Sequence, residues 1–216
     1  MTWSLNEVDS LSKKAARGSG MSWGLAEEAG KAARGLCEYG FDGPENLLSL
    51  LRDHDNLPND DIAPKDHAGV WSAAKGGLCP VAAGAALCDL AYDIARDAPL
   101  QMKGVVRPLL LLPFVQGAVA QSGRDLCLCW DGVQLHVSRD GVQIAGRESD
   151  LDCAQAPMVQ VRAGLAREGQ VLARAGRARM AQTTAAQLGE YAQRTYAPDT
   201  EASRLKGAGS NLSDND

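Results

Sequence analysis

The stretch LCLCWDGVQLHV, residues 126–137, consists of two short segments in which every second residue is large and apolar. Asp131 and Gly132 separate the two segments. Alternation of this kind is typical of a strand that buries one face, and an Asp-Gly pair readily supplies the positive φ values of a two-residue hairpin turn. The stretch therefore predicts an antiparallel β-hairpin.

The residues after this hairpin predict further strands and a last helix. Ser138–Gly141 is a second turn sequence, and three strand candidates follow it: Val142–Ala145, Met158–Arg162 and Gln170–Arg174. With the hairpin they predict an antiparallel meander of about five strands, covered by helices on one face because such sheets usually bury one face. The capping-box pattern at Thr184–Gln187 predicts a final helix that ends near Tyr196.

The residues before the hairpin predict mainly helices. Ser4 and Glu7 form a capping-box pattern at the start of an amphipathic segment. The predicted helices run from about Leu5 to Arg17, from near Ser22 to Tyr39, from Pro44 to Asp53 and from Val81 to Ala95, with a loop at His54–Gly69. The predicted class is therefore α+β, with N-terminal helices packed on one face of a mainly antiparallel sheet, a C-terminal helix and a tail. We expect a single domain over residues 1–198 and a tail, residues 199–216, that folds back on it.

Composition narrows the functional classes. The net charge is -5, from 22 basic and 27 acidic side chains, so long-range electrostatics disfavour nucleic acid as a partner. No apolar run has the length of a signal peptide or an uninterrupted membrane span, which predicts a cytoplasmic protein without membrane contact. We therefore expect the six cysteines to be reduced. Their spacing, and that of the three histidines, does not favour zinc.

Segments near both ends carry a family resemblance. They are SWGLAEEAGKA at Ser22–Ala32, TYAPDTEASR at Thr195–Arg204, the glycine pair around Ala208, and the last three residues, with Leu78-Cys79-Pro80 between them. These segments resemble a proteobacterial family of unknown function that is common in marine alphaproteobacteria. The resemblance implies a bacterial, cytoplasmic setting and no mechanism.

Two side chains are candidates for catalysis. Cys79 follows a lysine- and glycine-containing segment and precedes a predicted helix, where the helix dipole could lower the pKa of a thiol or hold an anion. Glu28 lies beside the apolar stripe of the second helix, so it could be a partly buried carboxylate that acts as an acid or base. The alternatives are a buried thiol at a helix cap for Cys79, and ordinary surface charge for this helix, with Glu27 paired to Lys31.

Candidate ligand-binding residues lie at the two ends of the chain. A pocket that joined Trp23, Glu28 and Arg204 would bind an anionic metabolite, with the arginine as the charge clamp. The backbone amides at Gly207 and Gly209 could also hold an anion. Asp214 and Asp216 could instead bind a hard cation such as magnesium or calcium through oxygen ligands. A solvated terminus is the alternative for the whole tail.

The remaining histidines, cysteines and tryptophans have structural explanations. We expect His136 to be exposed on the strand face opposite Leu135, and His54 and His67 to be solvated in the acidic loop. Cys127 and Cys129 should share one face of their strand as packing residues, at a spacing that disfavours a disulfide. Three tryptophans are expected to anchor the core: Trp23, Trp71 and Trp130.

Three functional hypotheses follow from these features. The first is a protein that binds an anionic small molecule or assists a metabolic enzyme. The second is a small enzyme that acts on an anionic metabolite by carboxylate acid/base chemistry. The third is a structural partner subunit, in a homo-oligomer or with another enzyme. The sequence indicates no particular cofactor.

Overall fold

The computed structural model of the chain describes residues 2–94, 99–164 and 169–196. Eight α-helices are present in these ranges: α1 (Leu5–Gly18), α2 (Trp23–Cys37), α3 (Gly43–Asp53), α4 (Asn59–Ile62), α5 (Pro80–Asp89), α6 (Ala91–Ile94), α7 (Leu112–Ser122) and α8 (Gln182–Gln193). The described strands are β1 (Thr2–Ser4), β2 (Val70–Trp71), β3 (Leu100–Val106), β4 (Leu126–Trp130), β5 (Val133–Ser138), β6 (Gly141–Gly146), β7 (Gln155–Ala163), β8 (Gln170–Val171) and β9 (Arg177–Arg179). The predicted α+β class is confirmed.

Side chains that cap backbone amides begin the first helices where the sequence predicts. The Ser4 hydroxyl accepts a hydrogen bond from the Glu7 amide at 3.2 Å, and the Ser4 amide donates to the Glu7 carboxylate at 2.7 Å. Both bonds satisfy amides that the first turn of a helix leaves without partners. The Ser22 hydroxyl caps α2 in the same way through the Leu25 amide.

The last helix begins two residues earlier than predicted. The helix α8 starts at Gln182, with Ala181 as the preceding cap residue. The Thr184 hydroxyl donates to the Glu45 carboxylate of α3 at 2.6 Å. The capping-box interpretation of Thr184–Gln187 is therefore wrong, because tertiary packing of α8 against α3 takes the threonine hydroxyl.

The main sheet has seven described strands in the order β2-β3-β7-β4-β5-β6-β8. Only the β2–β3 pair is parallel; the other pairs are antiparallel. The strands β1 and β9 form a separate antiparallel pair. The meander is confirmed for β4, β5 and β6, but the sheet has two more strands than predicted, because β2 and β3 were not recognised. The strand β7 pairs between β3 and β4.

The hairpin of β4 and β5 has the predicted register. Trp130 pairs with Val133 across the turn, and Leu126 pairs with Val137 at the far end. Of the two turn residues, Gly132 alone adopts a positive φ, of 76°. This left-handed conformation favours glycine. A Cβ atom at Gly132 would also lie 2.6 Å from the Asp150 carboxylate, which would have to move.

The longest apolar stretch of the sequence contains a helix that the alternation pattern does not reveal. Residues 108–111 form a 3-10 turn that leads directly into α7. Pro113 lies in the first turn of α7, where a proline needs no amide hydrogen bond and favours the start of a helix. The helix packs against β4 and β5 on one side and against α2 and α5 on the other.

One connected hydrophobic core includes residues from Val8 in α1 to Leu188 in α8. The helices cover one face of the β4–β5 hairpin, where Leu128 and Leu135 are fully buried. We call the opposite face of the main sheet the open face. Within the described ranges, no helix combines the length and the apolar character that are needed to cross a bilayer.

Candidate functional site on the open face

Four neighbouring strands each contribute one side chain to a row across the open face. Arg162 of β7 pairs with Cys127 of β4, Cys127 pairs with His136 of β5, and His136 pairs with Gln143 of β6. Directly opposed residues in antiparallel strands have Cβ atoms about 4.5–5.5 Å apart. The row therefore brings a guanidinium, a thiol, an imidazole and an amide within reach of one ligand.

The same alternation that builds the core directs this row outward. Leu126, Leu128 and Leu135 are buried on the helix-covered face, so the residues between them lie on the open face. A second row follows one pleat further along, from Gln160 through Cys129 to Gln134. A shift of one residue in the pairing of β4 with β5 would move the side chains of one face to the other face. The two-residue turn at Gly132 fixes the register and prevents this shift.

A cavity of about 850 Å³ lies over the first row and over Gln134 of the second. This volume is within the range of sites that bind small molecules. Its lining consists of Gly123, Arg124, Asp125, Cys127, Gln134, His136, Gln143, Ile144, Ala145, Arg162, Ala163, Gly164 and Gly169. Two arginines against one aspartate give the lining a net positive charge, although the whole chain carries -5.

His136 is the buried polar group of this cavity. Its side chain is only 9% exposed, and its Nε2 atom has no hydrogen-bond partner among the described residues. The prediction that His136 would be exposed is wrong, because β5 is an inner strand and Gly164 approaches the ring. A Cβ atom at Gly164 would lie 3.4 Å from Cε1 of His136. Several buried side-chain atoms in the described ranges lack a partner, and Nε2 of His136 is the one that belongs to a residue of this cavity.

Cys127 and Cys129 share the open face, as the sequence predicts, and their Sγ atoms are 3.2 Å apart. The hydrogen bond with Cys127 and the nearby Arg162 guanidinium lower the pKa of Cys129 to about 6, and partial burial opposes this shift. This environment favours the thiolate of Cys129, and thiolates are the reactive form of cysteine.

Cys79 lies at the start of α5, as predicted, but in a different electrostatic setting. It is 2% exposed, and burial raises the pKa of its thiol although the amides of Ala82 and Val81 act in the opposite direction. Lys75 forms an ion pair with Asp61 at 3.1 Å. The predicted lowering of the pKa of Cys79 is wrong, because burial outweighs the helix end.

Glu28 is half-buried on α2 and forms an ion pair with Lys31 at 2.7 Å. Glu27 pairs instead with Lys13 of α1, also at 2.7 Å. The predicted pair of Glu27 and Lys31 is therefore wrong, because α1 packs beside α2 and offers a nearer ammonium group. Glu28 does not line the open-face cavity.

Trp23 is 64% exposed at the start of α2, with the Arg17 guanidinium 5.2 Å from its ring centre. The prediction that Trp23 anchors the core is wrong, whereas Trp71 and Trp130 are buried as expected.

His54 is also buried, contrary to prediction, because it ends α3 against the body of the protein. Burial lowers the pKa of His54.

The remaining predicted site residues lie outside the described residues. They are Arg204, Gly207, Gly209, Asp214 and Asp216. The predicted pocket of Trp23, Glu28 and Arg204 therefore stays a prediction, as does the cation site in the tail. In the part of the chain that the structure describes, no group of three or more histidine, cysteine and acidic side chains has a metal-binding arrangement.

Sequence reasoning overlooked the open-face row, although half of it follows from the hairpin. A two-residue turn at positions 131 and 132 places Cys127 opposite His136 by counting. Arg162 and Gln143 could not be added in this way, because the pairing of β7 with β4 spans more than thirty residues of sequence.

Comparison with known proteins concerns a different part of the chain. A family described as a protein of unknown function (DUF3726) matches residues 3–79, which is less than half of the 216 residues. No protein with a curated description matches the chain. The similarity supports the expected relation to an uncharacterised domain family. It ends at Cys79, before the residues of the open-face cavity, and supplies no activity.

Proposed function

We propose that the protein binds a small anionic metabolite in the open-face cavity. The observation that carries this proposal is the row of Arg162, Cys127, His136 and Gln143 along the floor of the cavity. A guanidinium offers several N–H donors in a fixed fork that matches carboxylate and phosphate groups. The imidazole and the amide add donors at the far end of the row.

The charge of Arg162 supports an anion. Among the described residues, no carboxylate forms an ion pair with Arg162, whereas Lys13 and Lys31 on the helices each have an acidic partner. The arginine is half-buried, so its field is screened less than that of a fully exposed side chain. A ligand carboxylate or phosphate would compensate this charge.

His136 supports the same ligand. A ring nitrogen buried without a partner costs free energy that a hydrogen bond recovers. The His136 ring lines the cavity, but Nε2 has almost no exposed surface, so the ring would have to turn for this atom to donate to an anion. Gln143 and Gln134 line the same cavity and can donate from their amides. The site would then select a ligand that has an anionic group at one end, to contact Arg162, and a polar group at the other end, to contact Gln134 and Gln143.

The test uses inorganic phosphate and succinate as probes, titrated by calorimetry into the full chain. Arg162→Gln should weaken binding of the better probe by about tenfold or more, since it removes a charge-assisted bidentate contact. The matched control is Lys103→Gln, which removes a positive charge from the same face on β3, outside the cavity lining. Lys103→Gln should leave the affinity unchanged.

Two outcomes would overturn the anion site. One is the absence of heat and of thermal stabilisation with either probe up to millimolar concentration, because a ligand that prefers the folded state must stabilise it. The other is equal weakening by both substitutions, which would indicate general electrostatic attraction.

We extend the proposal to the setting of the protein. The resemblance of Ser22–Ala32 to a proteobacterial family supports a bacterial origin, and the six cysteines support a reducing compartment such as the cytoplasm. The connected core supports a single domain over residues 1–198.

Ligand binding alone is favoured over carboxylate acid/base catalysis, since Glu28 is paired with Lys31 and lies away from the cavity.

A further inference from the structure

We propose that Cys127 and Cys129 form a redox-active thiol pair that exchanges with small-molecule disulfides. The pair uses the same face of the sheet as the anion site, but its chemistry does not depend on whether an anion binds. Cys129 is the attacking thiol and Cys127 is the resolving thiol.

The geometry of β4 brings the two sulfur atoms together. Residues two apart on a strand lie on the same face, and the Sγ atoms of Cys127 and Cys129 are 3.2 Å from each other. The strand is held on both sides, by β5 and by β7, so the backbone keeps the thiols in place. A thiol that attacks a mixed disulfide on its neighbour therefore needs little movement.

The surroundings divide the roles between the two thiols. Cys127 lines the cavity but is only 5% exposed, whereas Cys129 lies outside the cavity lining and is partly exposed, so Cys129 offers more of its side chain to an external disulfide. Arg162 supplies positive charge beside Cys129 and favours its thiolate. Three other thiols differ from Cys129, since burial raises the pKa of Cys37 and of Cys88 to about 11 and also raises that of Cys79.

The exchange proceeds in two balanced steps. The Cys129 thiolate attacks one sulfur of a disulfide RSSR, which forms a mixed disulfide and releases one thiolate RS⁻. Cys127 then loses its proton to that thiolate, and its sulfur attacks Sγ of Cys129 and releases the second RS⁻. The protein dithiol is oxidised to an intrastrand disulfide, and RSSR is reduced to two thiols once the second thiolate takes up a proton.

The strand spacing makes the product easy to reduce. Two residues of an antiparallel strand span about 6.8 Å, which is the upper end of the Cα separations that disulfides tolerate. The same spacing disfavours a permanent disulfide. A strained disulfide is readily reduced again, which suits a bond that forms and breaks over a permanent structural one.

The experiment treats the reduced full chain with oxidised glutathione at pH 7 and maps the products by mass spectrometry. In the unsubstituted protein, the peptide with Cys127 and Cys129 should lose two hydrogens and carry no glutathione. Cys127→Ser should retain glutathione on Cys129, because no resolving thiol remains. Cys129→Ser should react at least about tenfold more slowly at this peptide, because Cys127 is buried. Cys153→Ser is the control that should behave like the unsubstituted chain.

The proposal is overturned if the unsubstituted chain retains a stable glutathione adduct on Cys129, or if the six cysteines react at similar rates. Both readouts come from the unsubstituted protein, so they do not depend on the folding of a variant. Phosphate binding by reduced Cys129→Ser separates the two proposals. Retained binding with lost exchange supports a thiol pair distinct from the anion site, whereas retained exchange would contradict the role of Cys129 as the attacking thiol.

Discussion

The N-terminal helices and the open face of the sheet differ in whether their charged and polar side chains have partners. On the helices, Lys13 pairs with Glu27 and Lys31 pairs with Glu28. On the open face, Arg162 has no carboxylate partner in the described ranges, and Nε2 of His136 has no hydrogen-bond partner there. The difference is one of placement: other buried atoms without a partner, such as Oγ of Ser12 and both ring nitrogens of His54, lie outside the cavity, whereas Arg162 and His136 lie together in its lining.

The largest expected effect is a difference in how much a substitution in each region lowers the free energy of unfolding. Leu36→Ala in α2 should lower the free energy of unfolding by about 2–5 kcal/mol, because it leaves a cavity in the core. Gln143→Ala on the open face should change it by about 0.5 kcal/mol or less, since the amide has no packing role. Urea denaturation measures both. Similar losses for the two variants would contradict the division between a structural and a ligand-binding region.

A second prediction compares two thiols. At pH 7, Cys129, with its pKa of about 6, is mostly thiolate, whereas the raised pKa of buried Cys79 keeps it a thiol. Iodoacetamide should therefore label Cys129 at least about a hundredfold faster than Cys79 in the folded protein. In strong denaturant the two rates should converge. Faster labelling of Cys79 in the folded state would restore it as the reactive cysteine.

A third prediction concerns the pH dependence of stability. The folded state keeps His54 neutral, because burial lowers its pKa from the ordinary value of 6.5. Below that pH the unfolded chain binds a proton that the folded protein resists, so the free energy of unfolding should fall as the pH drops, until the lowered folded pKa is passed. His54→Gln should lose less stability than the unsubstituted chain between pH 7.5 and pH 5, measured by urea denaturation.

The control for this pH effect is His67→Gln, which alters an exposed imidazole in the same loop region. That variant should keep the pH dependence of the unsubstituted protein. An unchanged slope for His54→Gln would show that other groups cause the loss of stability in acid.

The smallest expected effect is that of Glu28→Gln. The substitution breaks a partly exposed ion pair with Lys31, and such pairs contribute about 0.5 kcal/mol or less. Phosphate affinity should stay within about twofold of the unsubstituted value, because Glu28 lies away from the cavity. A large loss of binding would instead place the ligand near α2.

Local signals in the sequence predict much of the fold. The Ser4–Glu7 capping box and the Gly132 turn specify helix α1 and the β4–β5 hairpin through contacts between near neighbours. The helix α7 escaped prediction because Pro108 and Pro113 look like interruptions of an apolar run although they begin helical turns. The strand β3, which ends at Val106 before either proline, was also not recognised.

The candidate site was less predictable than the fold. Every hypothesis about Cys79 and Glu28 followed from neighbours in sequence, and their burial and pairing depend on elements far along the chain. The open-face row needs the pairing of β4 with β7, which no local pattern specifies. Alternation could have placed Cys127 opposite His136, but the charge beside them comes from Arg162 on the distant strand.

The most direct test is to follow backbone amide and imidazole chemical shifts by NMR during titration with inorganic phosphate. The largest changes should occur at Cys127, His136 and Arg162, with the helices α1 and α2 almost unaffected. Arg162→Gln should abolish these changes at the same phosphate concentrations. Changes centred on Trp23 and Glu28, with the open face silent, would contradict the proposed site.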